Sequence, residues 1–80
     1  MIIEWKPAAR AELRAIAREQ ALAILHALTR YAHTGEGDVT HLQAQHGEFR
    51  LRVGDYRVRF ERISGGIRIL HVRHRSQAYR

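Results

Sequence analysis

Apolar residues recur along this chain with two different periods, and the change from one to the other falls past its midpoint. Met1 to Trp5 is a short apolar-rich run that reads as a strand. Pro7 follows where a helix can begin, because its fixed φ suits a first turn and its missing N–H has no role there. From Ala8 to about Ala32 there is no Gly or Pro. Within that stretch Leu13, Ile16 and Ala17, then Ala21, Ile24, Leu25 and Leu28, recur at three and four. The stripe slips at Arg18-Glu19-Gln20, so two helices in a hairpin fit better than one long helix. Gly35 and Gly37 close the helical region. Asp38 to Gly47 is polar and reads as a loop with one turn at Leu42.

After Gly47 the period becomes two. Phe49, Leu51 and Val53 alternate with Glu48, Arg50 and Arg52; beyond Gly54-Asp55, Tyr56, Val58 and Phe60 alternate with Arg57, Arg59 and Glu61. Ser64-Gly65-Gly66 makes another turn, and Ile67 to His74 reads as a further strand. The predicted order is β-α-α-β-β-β, a single α+β domain over residues 1–80 with no repeat or linker.

A two-residue turn at Gly54-Asp55 sets the hairpin register. Val53 then faces Tyr56, Leu51 faces Val58 and Phe49 faces Phe60, all on the side packed under the helices. The same register sets Arg52 against Arg57 and Arg50 against Arg59 on the other side. Like charges directly opposite in a sheet cost roughly a few tenths of a kcal/mol per pair. Two readings follow. Either the arginines only keep a sheet face wet, or their cluster is offset by a bound anion. A merely solvated face more often mixes signs, which favours the second. Arg10, Arg14 and Arg18, spaced at four, read instead as a solvated helix face.

The composition agrees. Fourteen Lys and Arg stand against eight Asp and Glu, for a net charge of +6, and all the bases but Lys6 are arginine. Arginine presents a planar fork of donors that matches phosphate or carboxylate in a bidentate way. Nucleic acid is therefore the first partner class and an acidic protein the second. The absence of cysteine excludes disulfides, thiolate zinc sites and thiol catalysis. Met1-Ile2-Ile3-Glu4 lacks the basic start and long apolar run of a secretory signal, and no segment has the length of a membrane span. A soluble cytoplasmic protein, away from any membrane, is the expectation.

The hairpin "RLRVGDYRVRF" at 50–60, the ending "VRHRSQAY" at 72–79 and the helical opening "WKPAAR" together resemble the RelE/ParE superfamily of bacterial toxins. The resemblance spans nearly the whole chain. It implies a toxin of a type II toxin–antitoxin system, folded as a helical hairpin packed on a small antiparallel β-sheet. RelE-like members are endoribonucleases that cut mRNA, typically on the ribosome, and so arrest translation. ParE-like members inhibit DNA gyrase and cut nothing. Either kind implies a cognate antitoxin whose acidic or amphipathic segment masks the basic face.

Carried over by position, the arginine of the family's "YR" step is Arg57 and the basic residue of the preceding strand is Arg50. The "HR" step after the last strand is His74-Arg75, and the near-terminal tyrosine is Tyr79. The sequence departs from the family at Arg73, where glycine is common, and at Glu48, where some RelE members are basic. The resemblance thus implies catalysis by Arg57, His74, Arg75 and Tyr79, with Arg50, Arg52, Arg59 and Arg73 binding RNA. Attack by a ribose 2′-OH needs an acceptor for its proton, a cation over phosphorus and a donor to the leaving oxygen. Histidine exchanges protons near neutrality, which suits His74 to either transfer. Tyr79 suits one only with cations beside it, and otherwise stacks on a base. Arg57 and Arg75 suit charge stabilisation. An equally plain reading makes His74 a surface residue at a strand end and packs Tyr79 on the sheet. His26, His33, His71 and His74 invite a metal, but three-residue strand spacing puts 71 and 74 on opposite faces, and no carboxylate cluster joins them. No metal or cofactor is expected. A RelE-type nuclease is favoured over a gyrase inhibitor or an inactive antitoxin-binding relative, because the "YR" step and the "HR…Y" ending occur together.

Overall fold

The computed structural model describes residues 1–44 and 47–78. In chain order the elements are β1 (Ile2–Trp5), α1 (Pro7–Arg14), α2 (Arg18–Thr34), β2 (Val39–His41), β3 (Glu48–Val53), β4 (Tyr56–Ile63), β5 (Gly66–His74) and a single turn, α3 (Arg75–Ala78). The strands form one sheet in the order β1-β5-β4-β3-β2. The expected α+β class and helical hairpin are realised. The sheet differs from expectation in being mixed: β1 runs parallel to β5, and the other pairings are antiparallel. Only the long crossover through both helices and three strands brings the two parallel neighbours together.

β1 docks where one residue leaves room for it. Ile2 pairs with Gly66, and a Cβ at Gly66 would stand 1.9 Å from the Ile2 carbonyl oxygen. Any side chain there forces the first strand to shift.

The helical hairpin breaks at Ala15–Ala17, slightly before the slip in the apolar stripe. Ala17 is extended, at φ −55° and ψ 142°, although alanine is the best helix former. Neither helix has a side-chain cap at its start. The turn is imposed by packing, since Leu13 and Ile16 both lie against the core. α2 ends at Gly35, left-handed at φ 76°, whose N–H bonds to the Tyr31 carbonyl.

The hairpin of β3 and β4 has the expected register, with Arg52 against Arg57 and Arg50 against Arg59. Gly54 takes φ 57°, as the first central residue of a type II′ turn must. On the inner face Leu51, Val58, Phe60 and Ile69 pack with Ile24 and Leu28 of α2 and are fully buried. Segment 38–47 is not all loop: Val39–His41 pair with Phe49–Leu51 as the sheet's edge, a strand too short for its period to show.

One irregularity decides the outer face. Arg59 pairs with His71 but Phe60 pairs with Ile69, so Leu70 is an extra residue in β5. A bulge of this kind re-aims the side chains that follow it. Ile67 and Ile69 point inward before it and Val72 after it. His71 and Arg73 are thereby turned outward beside Arg59 and Arg57.

Candidate functional site

The outer face of β3, β4 and β5 carries a cleft of about 260 Å³. Arg50, Arg57, Arg59, His71 and Arg73 line it, and the Leu42-Gln43-Ala44 turn forms one wall. The cleft has a neutralised rim and a cationic floor. Among its lining residues Arg59 pairs with Glu48, and beyond the lining, on the same face, Arg68 bonds to Glu61 at 2.7 Å and to Glu4 at 3.0 Å. Those two carboxylates, Glu61 foremost, raise the Arg68 pKa above its ordinary value. This part of the face mixes signs as a solvated sheet does. Even so, the Nε of Arg59 is buried with no hydrogen-bond partner among the described residues.

Arg57 is different. It is the one buried charged side chain among the described residues, at 8% exposure. One guanidinium nitrogen, Nη1, donates to the carbonyls of Gly54 and Tyr56, each at 3.1 Å. No carboxylate pairs with it among the described residues. The hairpin turn therefore fixes a fork of donors in place and leaves its charge uncompensated. Burying a charge without a partner is expensive, and an anion in the cleft would relieve it.

Glu12, on α1, reaches the opposite wall. Its Oε1 accepts the Val72 N–H at 3.0 Å and lies 3.3 Å from His71 Nδ1; its Oε2 lies 3.4 Å from Arg73 Nε. β1 pairs only with Gly66 to Ile69, so β5 has no neighbour on that edge at Val72, and the carboxylate satisfies the orphan donor there.

Of the residues picked out by sequence, the structure gathers Arg50, Arg57, Arg59 and Arg73 in the cleft. Arg52 shares their register and is exposed, outside the lining. His74 is not brought to them. It lies opposite Tyr56 on the inner face, edge-on to that ring at 5.4 Å. Its Nδ1 accepts the Ser76 N–H at 3.2 Å, which makes it a cap for α3. Arg75 is exposed at the start of α3, and its N–H donates to the Asp55 carbonyl at 2.7 Å. Tyr79 lies outside the described residues. Sequence does not point to two residues at this site, His71 on the wall of the cleft and Glu12 behind it. The first depends on the bulge and the second on a contact across 59 positions, and neither leaves a local trace. Arg10, Arg14 and Arg18 are exposed, as a solvated helix face requires. Among the described residues no three metal-binding side chains converge.

The fold built around this cleft has known counterparts. The family model for the ParE toxin of type II toxin–antitoxin systems matches residues 3–79. The chain belongs to the ParE toxin family. Among solved structures the toxin is similar to a chain of the RelB–RelE antitoxin–toxin complex from Methanococcus jannaschii, with TM-score 0.78, 17% identity, and coverage of 95% of this chain and 94% of that one. It is also similar to a chain of the RelBE2 toxin–antitoxin complex from Mycobacterium tuberculosis, with TM-score 0.68, 22% identity, and coverage of 90% and 94%. At these identities the likeness speaks for the fold of the toxin. A comparison with curated proteins found no match.

Proposed function

We propose that the toxin is an endoribonuclease that cuts mRNA, on the ribosome, and so arrests translation. The buried, carboxylate-free guanidinium of Arg57 carries this reading. A cation held by main-chain carbonyls is preorganised before any ligand arrives, and preorganised donors make the largest contribution to stabilising a phosphorane. Arg50 and Arg73 complete a donor set around one phosphate, and the arginines supply the positive charge that a metal ion supplies elsewhere. The Leu42-Gln43-Ala44 wall gives the cleft a side against which a splayed base can rest. A cognate antitoxin is the toxin's partner, placing acidic side chains where the RNA phosphates would lie. The cytoplasm, where transcripts are translated, is the place of action.

Inhibition of DNA gyrase, the ParE-type action, is a second reading, favoured by the family match itself. Purified toxin separates the two. Added to a translation extract and to a gyrase supercoiling reaction, it is expected to stop the first at concentrations that leave the second unchanged. Loss of supercoiling with translation intact overturns the nuclease reading.

A further inference from the structure

We infer that His71 is the proton-transfer residue of the cleft, with Glu12 as its positioning residue; the inference rests on the endoribonuclease reading. Position 71 is one of only two sites in the last strand that carry an imidazole, and the other, His74, is spent as a cap on the opposite face. The bulge at Leu70 delivers His71 to the wall of the cleft beside Arg73 and opposite Arg59. Its ring is held from behind. Glu12 is itself anchored by the Val72 N–H, so its carboxylate cannot swing away without orphaning a main-chain donor. In the tautomer with its proton on Nδ1, the imidazole donates to Glu12 Oε1 at 3.3 Å and offers the lone pair of Nε2. Arg73 Nη2 also lies 3.3 Å from Nδ1, while its Nε faces the second Glu12 oxygen. None of these contacts uses Nε2. A carboxylate behind Nδ1 that orients the ring and favours this tautomer is the arrangement a histidine base requires.

The 2′-hydroxyl gives its proton to His71 Nε2 while its oxygen attacks phosphorus. The new O2′–P bond forms and the P–O5′ bond breaks. The leaving O5′ takes a proton from water, and the hydroxide so formed recovers the proton from the imidazolium. The products are a 2′,3′-cyclic phosphate and a 5′-hydroxyl. Arg57, Arg50 and Arg73 face the phosphorane. The charged groups around His71 are Glu12 from α1, Arg73 on its own strand, Arg59 beside it on β4, and Arg57 and Arg50 across the cleft.

The test uses full-length toxin on ribosomes programmed with a defined mRNA, and an all-deoxy copy of the same codon as an uncleavable binding probe. His71→Gln is expected to lower the single-turnover cleavage rate by about 100-fold or more, with probe affinity within about twofold of wild type by that same criterion of uniform binding. The rising limb of the pH–rate profile should vanish with it. Glu12→Gln keeps the bond to Val72 but not the charge; it should lower the rate and displace that limb while probe affinity holds. Added imidazole should restore cleavage to His71→Ala, which guards against a variant that has merely misfolded. A His71→Gln toxin that cuts within threefold of wild type, on the order of the uncertainty of such a comparison, overturns the assignment. So does a parallel loss of probe affinity. Wild-type toxin that cuts no RNA overturns the underlying reading as well, and the two failures are told apart by that control.

Discussion

The arginines of this toxin differ both in partner and in exposure. Arg59, Arg68 and Arg73 each face a carboxylate, from Glu48, from Glu4 and Glu61, and from Glu12. Arg62, although exposed, donates to the Tyr31 hydroxyl at 2.9 Å and lies over the Phe49 ring at 4.3 Å, on the helix side of the sheet. Arg57 alone of these is buried, with carbonyls in place of a counter-ion. If its charge serves a ligand, removing the charge while keeping the bulk should not hurt the fold. Arg57→Met is expected to leave stability within about 1 kcal/mol of wild type, or to raise it, because burying an apolar isostere in place of an unpaired ion is often neutral or favourable. The same variant should abolish toxicity. Urea denaturation and a growth assay check both halves. A loss of stability on the order of 3 kcal/mol would make Arg57 a structural residue.

Elements carry the rest of the site, and two of them hang on single positions. Gly66→Ala places a methyl group against the Ile2 carbonyl, so β1 must shift or leave the sheet. The expected cost is about 1–3 kcal/mol, which a thermal melt would record as a fall of roughly 4–8 °C per kcal/mol for a domain of this size. A melt unchanged from wild type would mean that β1 contributes little. The bulge at Leu70 is the other. Much of the frame was legible: the hairpin register, the helix pair and three of the cleft arginines, Arg50, Arg57 and Arg59, follow from period and turn chemistry. What failed did so for reasons of packing. A period-two count cannot see an inserted residue, so the change of face at His71 and Arg73 left no mark. The break at Ala17 runs against local propensity and is set by Leu13 and Ile16 against the core. Glu12 reads as one more exposed helix charge until α1 is laid along the unpaired edge of β5. His74 was drawn into the site by the resemblance, and the sheet places it on the other side.

At the scale of the whole molecule, a net charge of +6 on eighty residues attracts any polyanion, and attraction alone does not cut one. The division of the outer face is what argues for more than attraction: carboxylates neutralise the rim at Arg59 and Arg68, while the floor at Arg57 stays cationic. The central claim is that this cleft breaks RNA, and the most direct measurement is sequencing of transcript 5′ ends after brief expression in cells, wild type beside Arg57→Met. New 5′-hydroxyl ends inside coding regions with the wild type, and none with the variant, are the predicted result. Intact transcripts under the wild type, with plasmid DNA losing its negative supercoils, would contradict it.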